Sequence, residues 1–203
     1  MDALSQLLRA QAHNNAWANH RLLRSCGELS KDEFGAKRTS FFPSIKATLN
    51  HLLTVDWYYL DAIERSLAGR PANLGFEAFF DPEEPYASCA ELRAEQAACD
   101  ARLIALCRPL VDEAVERTVV GIPRRLGVMP EPLARVLAHL FQHQIHHRGQ
   151  VHAMLAGTAV APPQLDDFFL ASDAPLRVAD FAALGFDEAA IWPARPDSPR
   201  SAE

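Results

Sequence analysis

A chain of 203 residues, 49% hydrophobic and 23% charged, has the length for one full core with an appendage and the composition of an ordinary globular protein. Its net charge of −6, with no basic cluster larger than Arg124-Arg125, argues against nucleic acid as a partner, because duplex DNA is held largely through phosphate neutralisation. No apolar run approaches the ~20 residues that span a bilayer, and MDALSQLLRAQAHNN lacks the basic start and apolar core of a signal peptide, so no membrane partner and a cytoplasmic location are expected.

The first predicted helix runs from about Asp2 to Cys26 and places Leu4, Leu7, Leu8, Trp17, Leu22 and Leu23 on one broad apolar face. On the same helix His13, Asn14, Trp17 and His20 fall at helical intervals, either as a polar lining of the bundle or as a half-solvated face. The second helix is read from Pro43, which suits a first turn, to Ala68, with Gly69 as its stop. The connection from Gly69 to Ala87 is rich in proline and aromatic residues and long enough to cross a bundle, so helices two and three would run parallel. Ser88 and Glu91 form the S-x-x-E signature of a capping box, which opens a third helix read as far as Glu116. Thr118-Val119-Val120, with Gly121 and Gly127, predicts a short β-hairpin within Arg117–Val128. The fourth helix is expected from about Glu131 to Ala156, with Gly157 just past its end.

Four amphipathic helices of matched length imply an all-α four-helix bundle with a long crossover between helices two and three. Residues 1–157 would form this unit and 158–203 an extension of short elements packed on its outside, ending in a frayed ARPDSPRSAE tail. Cys26, Cys89, Cys99 and Cys107 show no C-x-x-C spacing and are read as small apolar residues without disulfides.

Five of the eight histidines lie in the fourth helix, in HLFQHQIHHRGQVH. Stepping about 100° per residue from His139, the apolar stripe of Leu133, Val136, Leu137, Leu140, Val151, Met154 and Leu155 falls at about 60–160°. His147, near 80°, lies inside that stripe and His143, near 40°, at its edge; His139 and His146 drift to the flank, and His152 points away. Residues four apart on a helix are neighbours, so His143 and His147 are placed either to share a metal ion or to pack as hydrogen-bonded core imidazoles. Helix two offers His51, which periodicity leaves at the margin of its buried face. Asp56 falls in the middle of that helix's apolar stripe, and a buried carboxylate needs a partner: the free ring N–H of a metal-bound histidine, an Arg or Trp, or a register shift that exposes it.

Three segments, NNAWANHRLL (14–23), TLNHLLTVD (48–56) and HLFQHQIHHRGQVH (139–152), resemble the DinB family of damage-inducible bacterial proteins over about residues 1–157, and PPQLDDFFL resembles an extension found in part of the family. The resemblance implies a divalent metal ion, Zn or Ni foremost and Fe or Co as alternatives, held by His51, His143 and His147. His139 or His146 would be the substitutes if the ligand set is slid. It also implies, through thiol-dependent relatives of the fold, a metal-dependent enzyme that activates a low-molecular-weight thiol for transfer to an electrophile. The alternative is a metal-binding stress-response protein without catalysis, in which a fourth protein ligand would close the site. The expected partners are a small-molecule thiol or electrophile and a second copy of the chain in a homodimer. A ferritin-like di-iron bundle is excluded by the absence of any Glu-x-x-His, and a zinc protease by the absence of His-Glu-x-x-His.

Overall fold

A computed structural model describes residues 3–193 of the chain, so Asp2 and the ARPDSPRSAE tail lie outside the described residues. Four long helices carry the architecture: α1 (Ala3–Cys26), α3 (Ile45–Leu67), α4 (Cys89–Cys107) and α6 (Leu133–Leu155), with the short α2 (Lys31–Gly35) and α5 (Asp112–Arg117) between them. Antiparallel strands β1 (Val119–Arg124) and β2 (Gly127–Pro132) precede α6, and α7 (Ala174–Leu184) and α8 (Glu188–Ile191) follow it.

Cross-helix hydrogen bonds fix the directions. Asp56 meets Gln96 and, further along, Glu64 meets Arg102, so α3 and α4 run parallel and the connection between them crosses the bundle as expected. Tyr59 packs on His139 whereas His51 packs on His143, so α6 runs antiparallel to α3. Asn15 reaches Asp100 while Arg9 reaches Arg108, which sets α1 antiparallel to α4. The core between these rods is built from Leu22, Ile45, Leu52, Leu60, Ile63, Leu103, Leu137 and Leu140, all essentially removed from water.

Three helix boundaries differ from expectation. Helix α3 starts at Ile45 rather than Pro43, because the Ser44 hydroxyl caps it by accepting from the Ala47 N–H at 3.0 Å. Helix α4 has its reciprocal Ser88–Glu91 capping box but stops at Cys107, well short of Glu116. Arg108 still has helical backbone, but Pro109 has no N–H to continue the ladder, so the chain turns and restarts as α5. Helix α6 begins at Leu133, because Glu131 and Pro132 belong to β2; its first N–H is satisfied by the Thr118 carbonyl at 2.9 Å.

The hairpin forms, extended to Pro132, with Val119 opposite Pro132 and Arg124 opposite Gly127 around a two-residue turn. Gly127 has φ of 121°, a conformation that a side chain would strain. With only two strands, both are edges, which is why β2 tolerates Pro130 and Pro132. The Tyr58 hydroxyl donates to the Pro123 carbonyl at 2.6 Å and ties the ribbon to α3.

The α1 face divides in two. Leu8, Leu22 and Leu23 enter the bundle core, Leu7 is half exposed, and Trp17 turns the other way into a second cluster with Phe168, Phe181 and Ile191. The segment beyond Gly157 packs over this side of α1, so Asn14 and Trp17 are covered, while His13 and His20 remain half-buried as a half-solvated face would have them. The His13 ring stands edge-on to Phe186 at 5.0 Å, and Asn14 and Trp17 are buried. Ion pairs of Arg21 and Arg24 with the buried Asp180, and a hydrogen bond from the His152 ring to the Pro163 carbonyl, fasten that segment across α1 and α6.

Candidate metal centre and the polar network beside it

The three imidazoles of His51, His143 and His147 converge. Each offers one ring nitrogen to a group whose members all lie within 4.8 Å of one another, and the Nε2 atoms of His51 and His143 are 3.0 Å apart. A tetrahedral ion with bonds of about 2.0–2.1 Å places its ligand nitrogens about 3.3 Å apart, so small ring rotations bring this donor set onto one cation. Among the described residues no further imidazole, carboxylate or thiol joins the group.

Local sequence explains the placement. On α6 the four-residue spacing sets the rings of His143 and His147 edge to face with centroids 4.4 Å apart, and the antiparallel α3 lays His51 against both, at 5.0 and 4.8 Å. His51 is steadied by its neighbour Asn50, whose side chain exchanges two hydrogen bonds with the Tyr86 backbone and pins the end of the crossover to α3. The Phe42 ring, on the segment leading into α3, lies over His51 at 4.3 Å and reaches His147 at 5.5 Å, so it roofs the group.

The electrostatics suit neutral ligands. Burial, reinforced by the His147 ring, pushes His51 down to about 4, and burial with the neighbouring imidazoles pushes His143 down to about 3. His147 is lowered as well, chiefly by burial. A neutral imidazole has one nitrogen free to donate its lone pair, and hydrogen bonding of the other decides which. For His147 that choice is fixed: Nδ1–H donates to the Gln150 Oε1 at 2.8 Å, leaving Nε2 for a cation. The same Gln150 amide donates to His146 Nε2 at 3.1 Å, holding the exposed His146 ring outside the group. His139, also exposed, packs its ring against Tyr59 at 5.2 Å and stays outside too.

Asp56 is 1% exposed, so the register shift that would expose it does not occur. Its partners are not those expected from sequence: Oδ2 accepts from the amides of Gln144 and of Gln96, the latter at 2.9 Å, and among the described residues no histidine, Arg or Trp donates to it. The amides displace those candidates because Asp56 belongs to a buried network that sequence reasoning missed. Asn15 and Asn19 of α1 donate to Asp100 of α4, each at 3.0 Å to Oδ1, and Gln96 bridges Asp100 and Asp56. The Arg148 guanidinium of α6 donates through one nitrogen to the side-chain oxygens of Asn15, Asn19 and Gln144. Asn15, Asn19 and Gln144 thus each accept from the arginine and donate to a carboxylate. The available signal was a polar pair at four-residue spacing on three helices: Asn15/Asn19, Gln96/Asp100 and Gln144/Arg148.

Burial raises both carboxylates, Asp56 to about 6 and Asp100 to about 7, with the charge of Asp56 adding to the effect on Asp100. Arg148 is held down to about 10 by burial but stays a cation at neutral pH. One guanidinium facing two carboxylates favours retention of a single proton between the acids.

The four cysteines are free thiols, three of them buried. Burial raises every one, Cys89 to about 11 and Cys107 to about 12, with Cys26 and Cys99 higher still.

A bundle that builds a cluster of imidazoles from two facing antiparallel helices falls among the helical proteins whose metal and cofactor sites are made in this way. This chain belongs to the DinB family, whose model matches residues 5–176. Protein DinB of Bacillus subtilis (strain 168) is similar to it, with 25% identity over an alignment covering 73% of this chain and 85% of that protein.

Proposed function

We propose that the chain binds one divalent metal ion through His51, His143 and His147, and uses it to activate a low-molecular-weight thiol for transfer to an electrophile. The convergence of three neutral imidazoles within 4.8 Å, with no fourth protein donor among the described residues, carries this reading, because a three-ligand site leaves a position for an exogenous group. A divalent ion on three neutral ligands keeps its full charge and lowers the pKa of a coordinated thiol or water, so that thiolate is available near neutral pH. Zn and Ni are foremost among the ions such a donor set accepts.

The chain's own residues supply the rest. Gln150 fixes the His147 tautomer, and the Phe42 ring covers one side of His51. All four cysteines are held protonated by burial, so the sulfur that reacts is an external one. Among the described residues no helix is long and apolar enough to cross a membrane.

Elemental analysis of protein purified without an affinity tag tests the binding. About one divalent ion per chain is expected, falling to near zero in His51→Ala and His147→Ala. Incubating the metal-loaded protein with thiols and a chromogenic electrophile tests the chemistry. Turnover no faster than that of His147→Ala would leave a metal-binding protein without this reaction.

A further inference from the structure

One helical turn along the α3–α6 seam from the three imidazoles, toward the hairpin, a cleft of about 210 Å³ opens between α3, α6 and β1. Tyr59, Arg124, Glu131, Arg135 and His139 supply its polar wall, and Ile122 and Val136 form an apolar floor. His139 stands between the cleft and the proposed metal centre: its ring lies 6.2 Å from that of His143 and 5.2 Å from that of Tyr59.

The charges are unevenly committed. Arg135 has a carboxylate neighbour in Glu131 at 3.7 Å, whereas Arg124 has no carboxylate partner among the described residues. The Arg124 guanidinium instead lies against Tyr58, 5.8 Å from the ring centroid, and donates at 3.5 Å to the Tyr59 hydroxyl. Two arginines against one glutamate give this cleft a positive balance on a chain whose net charge is −6. A planar guanidinium with unpaired N–H groups, beside a hydroxyl and over an apolar floor, suits a carboxylate carried on a short aliphatic stem.

We propose that this cleft is an anion subsite, in which Arg124, aided by Arg135 and the Tyr59 hydroxyl, holds a carboxylate of the same small molecule whose thiol reaches the three imidazoles. The inference rests on the metal-and-thiol reading and narrows its substrate class to thiols bearing an acid at a distance. His139 lies one turn from His143, and Tyr59 two turns from His51, so sulfur and carboxylate would be separated by roughly 6–12 Å. Arg124 contacts the ligand directly and is itself exposed at the end of β1, so its replacement leaves the bundle intact.

Mercaptohexanoate and mercaptohexanol differ only in the acid and span that distance. With the cobalt-loaded protein, the thiolate-to-cobalt charge-transfer band reports binding of each without any need for turnover. The acid is expected to bind about ten-fold more tightly than the alcohol, as one charge-assisted hydrogen bond supplies, and Arg124→Gln should erase that preference while leaving cobalt stoichiometry and alcohol affinity unchanged. Equal affinities for the two thiols in the wild type, or a preference that survives in Arg124→Gln, would overturn the subsite. Failure of cobalt to bind would instead remove the metal reading. The subsite is then judged alone by titrating hexanoate into metal-free protein: shifts of the Arg124 side-chain N–H and hairpin amide resonances are expected, and their absence would refute it.

Discussion

Gln150 shows how much a single side chain decides. Its amide is bifunctional, accepting from His147 Nδ1–H at 2.8 Å and donating to His146 at 3.1 Å, so it sets the tautomer of one ring and restrains the other. Without it, His147 is free to present the wrong nitrogen, and His146 is free to swing inward. Loss of such an orienting partner typically costs 10–100-fold in metal affinity, so Gln150→Ala is expected to weaken zinc binding by about that factor. Competition against a chromophoric chelator measures it, and an unchanged affinity would show that the hydrogen bond does not orient the ring. At this scale the sequence was partly readable. The helical wheel separated His143 and His147 from their three neighbours, because those two share a face with Leu140, Val151 and Leu155. It had no purchase on His51, whose place depends on how α3 packs against α6. Nor did it give the partners of Asp56, since a wheel shows that a carboxylate is buried but not which distant amide reaches it.

Between elements, the network of Asn15, Asn19, Asp56, Gln96, Asp100, Gln144 and Arg148 joins all four long helices through hydrogen bonds that have no access to water. Its pH behaviour follows from the raised carboxylates. A folded-state value of about 7 for Asp100, against an ordinary 3.8, means the folded chain keeps a proton that the unfolded chain releases. Stability is then greatest below the unfolded value and falls as pH rises through the window from about 4 to about 7, levelling off above it. Asp100→Asn removes that titration, so its stability relative to wild type should improve from about pH 5 to about pH 8, by on the order of 3 kcal/mol. Urea unfolding of both proteins at the two pH values checks the sign, and parallel profiles would contradict it. Element boundaries were readable where capping or a stop residue marked them, as at Ser88 and Gly157. The third helix ends short of the expected Glu116 because Pro109 removes a ladder hydrogen bond that the apolar residues beyond it do not replace.

Across the whole molecule, the two apolar clusters lie on opposite sides of α1. The main core fixes the seam between α3 and α6 on which the imidazoles sit, and the smaller cluster seats the segment beyond Gly157 over Trp17. Phe168, fully buried against Trp17, Phe181 and Trp192, is the centre of the smaller one. Phe168→Ala is expected to cost about 3–5 kcal/mol and to shift Trp emission to the red, while leaving metal stoichiometry unchanged. A loss of bound metal in that variant would mean that the two clusters are coupled. The bundle and its crossover were readable from four matched periodic segments and one long connection. That Trp17 faces away from the bundle was not, because a helix with apolar residues on two sides gives no sign of which side meets which partner.

The placement of the cysteines has a practical corollary. Iodoacetamide and maleimides should react sluggishly with the native fold, so dithiothreitol or other reductants are dispensable during handling and need not be present to strip the cation. In the folded protein the half-buried Cys89 is the thiol that competes with the added small molecule, so mass spectrometry of products and polypeptide separates the two fates of the electrophile.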